Sequence, residues 1–257
     1  MSKPNDPAAP RVDSTLSKGL LIIEALTAAN GSRGVSDLSR ELGLTKSNTF
    51  RLLQTLMTLG YVERAPDKTY RATLKTWQVG RAVVENLNIR TIARPLMEFL
   101  AEETQETIYL AVRDGLQVVY LDKIESVKPI RSWNPIGGTA PIYCVGTGKA
   151  LLATDYTELR PVLDGKLTAF TNKTITDLQE LDRDIAATQL RGYAIDHGEF
   201  RPQIISLGAA ITLPDGQAVG ALGVSAPDVN LNDGDIERIG AMVQHAARSV
   251  SENLARH

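Results

Sequence analysis

The sequence predicts an α+β chain in two parts. A helical front third forms a helix-turn-helix with a wing, and a larger domain behind it carries a mainly antiparallel sheet. Three observations lead there. Apolar positions recur at the helical period in the front third, at 16, 20, 23 and 26 and again at 52, 53 and 56 with Thr49. A short hairpin turning at Pro66-Asp67-Lys68 follows the last of those helices. Further on, strand-like segments cluster around helices without strict βα alternation, the pattern of an antiparallel sheet.

The chain has 257 residues, 43% hydrophobic and 23% charged, which fits one large or two modest globular domains. Its first residues, "MSKPNDPAAPRV", are Pro-rich and polar with no apolar core, so 1–13 are expected to be a disordered tail and not a signal peptide. No apolar run approaches the ~20 residues of a membrane span, and no membrane partner is expected. The single cysteine, Cys144, excludes an intrachain disulfide framework and fits a cytoplasmic setting. Residues 11–75 carry ten Lys or Arg against six Asp or Glu, whereas 76–257 carry 17 against 23. A basic front on an acidic remainder suggests that only the front meets a polyanion.

The first helix spans Leu16 to Leu26 and stops at the "NGSRG" turn. Ser36 is the expected cap of a short second helix ending near Leu42, and Gly43 permits the tight turn after it. Thr45 caps a third helix that Gly60 closes. With Thr49, Leu52, Leu53 and Leu56 turned inward, Ser47, Asn48, Arg51 and Gln54 point outward, flanked by Lys46 and Phe50. Arg suits guanine, Asn and Gln suit adenine, and Lys and Ser suit phosphate, so this face is chemically fit to read DNA. A merely solvated helix face is the competing reading. The hairpin "YVERAPDKTYRAT", with Lys68 and Arg71 near its tip, completes a winged helix whose wing contacts the backbone.

Residues after the wing are helical through about Gln105, with Pro95 expected to open a second helix. "TIYLAVRDGLQVVYLDKIES" reads as a hairpin turning at Asp114-Gly115. Helices are then expected near 146–153, 155–163, 176–191 and 232–254, and strands near 193–197, 204–213 and 217–225.

The segments "GVSDLSRELGLTKSNTFRLLQTLMTLGYVER", "GTAPIYCVGTGKALLA", "LRGYAIDHGEF" and "ISLGAAITLPDGQAVGALGVSAP" resemble, in that order, IclR-type bacterial transcription regulators, named for the isocitrate lyase regulator. The resemblance covers roughly 14–254. It implies a winged helix-turn-helix DNA-binding domain over 14–75, a linker helix over 76–92 and a GAF-like effector-binding domain over 93–257. It further implies a homodimer or homotetramer and control of a catabolic operon. Because one recognition helix gives too little contact for ~nM specific binding, a pseudo-palindromic double-stranded operator bound by a dimer is expected. By resemblance the effector pocket is lined by Gly146, Thr147, Asp196, Ser206 and Ser225. Amides at the start of the "GKALL" helix suit a carboxylate as well as a phosphate. Asp196 would repel an anion, so it is expected to accept from an effector hydroxyl or to orient backbone amides. Trp133 and Tyr143 are candidates for an aromatic wall and Arg131 for a carboxylate partner, with ordinary core or surface placement the competing expectation. Ser206 stands where the family often has Cys, which leaves the effector's identity open beyond a small organic, possibly aromatic, acid.

Other chemistries fit poorly. "YCVGTGKA" lacks the first Gly and the final Ser or Thr of a phosphate-binding Walker loop, since Tyr143 and Ala150 occupy those positions. Three histidines and one cysteine predict no metal site, and no cofactor is expected. No G-x-S-x-G elbow is present, so a hydrolase would need Cys144 or a serine with His197, and no catalytic residue is predicted. The expected function is that of a ligand-responsive DNA-binding regulator, repressor or activator. The alternative is a ligand-binding module whose helix-turn-helix docks protein.

Overall fold

The computed structural model describes residues 13–28, 31–85 and 88–256, with backbone only for 81–85. The chain divides at residues 86/87 into two compact units.

In the first unit, α1 (Ser14–Ala28) turns Ile22, Ala25 and Leu26 inward. Part of the expected "NGSRG" stop lies outside the described residues; Gly31, at φ 133°, lies within them. The second helix, α2 (Val35–Glu41), starts before the expected Ser36 cap. Gly34 holds the cap position in extended backbone without a side-chain hydrogen bond. The reason is tertiary: Arg33 and Tyr70 exchange two backbone hydrogen bonds of 2.8 Å, which pins the chain just ahead of the helix. The next helix, α3 (Lys46–Thr58), begins as expected, with the Thr45 hydroxyl accepting from the Asn48 amide at 3.3 Å. Its buried stripe is Thr49, Leu52, Leu53 and Leu56, packed on Ile22, Leu26 and Leu38. Strands β1 (Val62–Arg64) and β2 (Tyr70–Ala72) pair antiparallel with Val62 opposite Ala72. At their turn Lys68 adopts φ 67°, while Asp67 accepts from the Thr69 amide. α4 (Leu74–Glu85) ends this unit.

The second unit opens with α5 (Ile89–Thr104), and Pro95 lies inside it instead of opening it. Residues 89–92, read from the sequence as linker, are therefore part of α5. The helix is fixed from its first turn by the buried Asp122, which accepts from Arg90 at 3.0 Å with Arg94 3.6 Å away. Such tertiary anchoring outweighs the hydrogen bond that a proline forfeits.

Six strands follow: β3 (Thr107–Asp114), β4 (Gln117–Ile124), β5 (Thr139–Pro141), β6 (Ala194–Asp196), β7 (Ile204–Thr212) and β8 (Ala218–Pro227). They form one antiparallel sheet in the order β5-β4-β3-β8-β7-β6. Alternation along β3 splits the core in two. Ile108 and Leu110 join α5 and α9 (Asp233–Leu254) on one face. Tyr109 and Ala111 join α6 (Gly146–Thr154) and α8 (Leu178–Arg191) on the other. α7 (Tyr156–Leu163) packs beside α6. The register of β4 against β3 slips at Leu110/Ala111, where Leu121 is the extra residue of a bulge.

Candidate functional site

On α3, Lys46, Ser47, Phe50, Arg51 and Gln54 are exposed and Asn48 is half-buried. The Arg51 guanidinium donates to Asn48 Oδ1 at 3.4 Å, a long bond that sets the two side chains side by side on the outward face. At the wing Lys68 and Arg71 are also exposed, but Arg71 Nε donates to Glu63 at 2.5 Å. Glu63 thus partly neutralises Arg71, while the Lys68 side chain near the tip is exposed.

In the second unit the chain brings Thr147, Asp196, Ser206 and Ser225 around one cavity. Its enclosed volume is about 20 Å³, room for about one water. Asp196 closes β6 on the cavity floor, 2% exposed. One of its oxygens accepts from the Gly198 and Glu199 amides, at 2.9 and 2.7 Å, and so shapes the turn leading out of the strand. The other accepts from the Ser206 hydroxyl at 2.7 Å, and Ser206 in turn accepts from the Gly146 amide at 2.9 Å. Gly146 therefore reaches the site through its N–H alone, and that N–H is already spent on Ser206. Ser225 donates to Ser132 at 2.8 Å, which ties the loop after β4 to β8.

The two rings offered as an aromatic wall, Tyr143 and Trp133, stand elsewhere than at this cavity. Tyr143 lies under α6, where its hydroxyl accepts from the Thr168 amide at 2.7 Å and donates to the Thr168 carbonyl at 2.8 Å. Trp133 is 53% exposed beneath the Lys123 ammonium, 5.2 Å from the ring centre. Neither lines the cavity; the wall is Tyr109 and Tyr120, tilted rings 4.8 Å apart. Arg131 is exposed, in the field of Glu125, and the arginine at the cavity is Arg201. A tyrosine in the middle of each apolar strand, "TIYLAV" and "VVYLDK", was the available signal, because a buried phenol needs a partner or a wet site.

Behind the floor Lys149 is fully buried, with its ammonium 2.5 Å from Glu199 and 3.0 Å from Asp184. Burial pulls its pKa down, but the two carboxylates outweigh that and hold it above its ordinary value. Burial also pushes Glu199 up to about 7 and Asp196 up to about 6, with Lys149 opposing both. An acid whose folded pKa is raised binds more protons folded than unfolded, so its stabilising contribution fades as pH rises through that value. The stability difference between the parent and Asp196→Asn should therefore change as pH rises from 4 to 6, the parent losing more. Urea denaturation midpoints at several pH values measure this, and a constant difference would contradict it.

Cys144 is buried with its thiol pushed up by desolvation, and no hydrogen bond joins it to His197 among the described residues. A hydrolase thiolate is poorly served there. Among the described residues no three His, Cys, Asp or Glu cluster as a metal site, and no helix is long and apolar enough to cross a membrane.

Comparison with known proteins agrees with this architecture. Residues 15–66 match the IclR helix-turn-helix domain, and 81–252 match the bacterial transcriptional regulator IclR C-terminal domain. The transcriptional repressor IclR of Escherichia coli K12 is 31% identical over 250 residues, covering 95% of this chain and 91% of that protein. The repressor AllR of the same strain is 30% identical over 252 residues, covering 97% and 93%. Among solved structures, Thermotoga maritima IclR superposes with a TM-score of 0.78 at 28% identity, covering 94% of this chain and 98% of that one. An IclR homologue of Microbacterium hydrocarbonoxydans complexed with 4-hydroxybenzoate shares the fold, with a TM-score of 0.83 at 23% identity and coverage of 95% and 100%. With a helix-turn-helix in front and a ligand-binding domain behind, the chain belongs to the IclR family of bacterial transcriptional regulators.

Proposed function

We propose that the protein is a one-component regulator that binds a pseudo-palindromic double-stranded operator beside a catabolic operon and responds to a small organic acid. The observation that carries the DNA half is the outward face of α3, where Arg51 and Asn48 stand together with Gln54 and Lys46. One recognition helix offers too little contact for ~nM specificity, so a homodimer or homotetramer is the binding species. An open apolar groove of about 720 Å³ along α1, α3 and α4 supports this, since Leu16, Leu20 and Val79 line it and remain exposed. The effector half rests on the polar cavity floor of Asp196 and Ser206, with Gly146 behind it and Thr147 and Ser225 alongside. The ligand acts by binding more tightly to one arrangement of the chain than to the other. The 4-hydroxybenzoate held by the Microbacterium homologue is an acid of the proposed kind.

The test is a salt titration of binding to the upstream promoter fragment. Affinity should fall steeply with salt, and Arg51→Ala should cost ~1–3 kcal/mol on the specific fragment while sparing random DNA. A helix-turn-helix that docks protein would show neither effect.

A further inference from the structure

We infer that Arg201 selects the charge of the effector, and that the effector is a small carboxylate bearing a hydroxyl, its acid group at Arg201 and its hydroxyl on the Asp196–Ser206 floor. This rests on the cavity being the effector site, as proposed above.

Hydrogen-bond accounting gives the polarity of the two ends. The Ser206 proton is committed to Asp196, and the Gly146 amide is committed to Ser206. What remains on Asp196 and Ser206 is lone pairs, so this pair takes in a donor and turns away an anion. The rim is opposite in character. Arg201 lines the cavity, is exposed, and is paired with no carboxylate among the described residues. Its guanidinium lies 5.8 Å from the Phe200 ring centre, and Phe200 is packed edge-on against Phe170 at 5.1 Å. The segment carrying it is built in place: Asp196 holds the Gly198 and Glu199 amides, Gly198 takes φ 91° and Gln203 φ 62°. Between the two ends stands Tyr120, 4% exposed, whose hydroxyl has no hydrogen-bond partner among the described residues. A phenol lining a cavity can donate to an acceptor bound there. Tyr109 and Tyr120 line the same cavity as Arg201, and the Tyr109 hydroxyl already accepts from the Asn134 amide at 2.8 Å. Guanidinium and carboxylate match bidentately, and an amide isostere lacks the charge for it. The cavity has room for about one water, so entry requires the rim to move, and Arg201 is the exposed residue there.

Calorimetry on the full chain with matched probes tests this: glycolate, acetate and glycolamide, then 4-hydroxybenzoate, benzoate and 4-hydroxybenzamide. In at least one set the hydroxy acid should bind the parent best. Arg201→Gln should weaken it by about 10–100-fold and erase the preference for acid over amide, the range expected for a charged hydrogen bond. Arg201→Lys should keep part of that preference. Asp196→Asn and Ser206→Ala should instead reduce the preference for hydroxy acid over plain acid. No binding by any hydroxy acid, or tighter binding of the amide or plain acid in every set that binds, overturns the ligand class. Acid affinity unchanged in Arg201→Gln but lost in Asp196→Asn overturns the Arg201 assignment and leaves the pocket standing. Affinity unchanged in all variants overturns the pocket itself.

Discussion

Lys149→Ala is expected to destabilise the C-terminal unit by about 3–5 kcal/mol, the range for removing one partner of a buried ion pair. The Lys149 side chain is wholly inaccessible, Glu199 nearly so, and the ammonium also donates to the Ile195 carbonyl at 3.2 Å. Deleting it leaves the Glu199 carboxylate buried without its counter-charge, and one Glu199 oxygen already lacks a hydrogen-bond partner. The loss should depend on pH with a definite sign. Glu199 is already raised to about 7, and removing Lys149 raises it further. Below about pH 5 the folded variant can protonate Glu199 and avoid the unpaired charge, whereas at pH 8 it must bear the charge or unfold. The deficit against the parent should thus be larger at pH 8 than at pH 5, and Lys149→Met with Glu199→Gln should recover most of it. Denaturant melts of the three proteins at both pH values decide the matter. A deficit under 1 kcal/mol, or one larger at pH 5, would mean that the pair carries no such weight. Lys149 is neither a phosphate ligand nor a surface contact. It joins α6 to the turn that Asp196 shapes, so the cavity floor and its supporting charge rise or fall together.

How much of this was legible beforehand depended on whether a signal was local. The α3 stripe and its Thr45 cap are written in consecutive residues, and the structure carries both. The Ser36 cap failed because a contact between Arg33 and Tyr70, far apart in sequence, sets the start of α2. Pro95 failed for a similar reason, the Asp122 anchor on Arg90 and Arg94 holding α5 from its first turn. The cavity was half legible. Asp196, Ser206, Thr147 and Ser225 came from matching segments, and hydrogen bonds hold Asp196, Ser206 and Ser225 where they stand. The wall did not, because β3 and β4 are buried on both faces. Alternation shows that Tyr109 and Leu110 face opposite ways, without showing which face is cavity and which is core. Trp133 and Tyr143 were nearer in sequence to the glycine loop, but closeness along the chain says little about a site assembled from β3, β4, β6, β7 and β8. Arg201 escaped because its role depends on a turn organised by Asp196.

Gly148→Ala is expected to cost about 3 kcal/mol, near the top of the range for overpacking. A glycine pair before a lysine invites a phosphate-loop reading, in which the missing side chain makes room for a ligand. Here the room is taken by protein. A Cβ on Gly148 would sit 2.3 Å from the carbonyl oxygen of Ile142, a residue whose own amide donates to the Leu116 carbonyl at 3.0 Å. Neither partner can step aside without moving α6 or the chain entering it. The same compression recurs where α6 crosses the sheet. A Cβ on Gly146 would meet the Ser206 carbonyl at 2.7 Å, and one on Gly208 would meet the Gly146 carbonyl at 2.3 Å. These glycines let the start of α6 lie directly on β7, which is how the Gly146 amide reaches Ser206 at all. Gly19→Ala supplies the contrast. Gly19 is helical, nothing lies within 4 Å of its added Cβ, and alanine there should stabilise by ~0.5–1 kcal/mol through helix propensity alone. If Gly148→Ala melts with the parent while still folding, α6 does not press on the Ile142 backbone and the packing account of this loop is wrong. If it is destabilised and also loses ligand response at temperatures where it remains folded, the close approach of α6 to β7 is what holds the cavity floor in register.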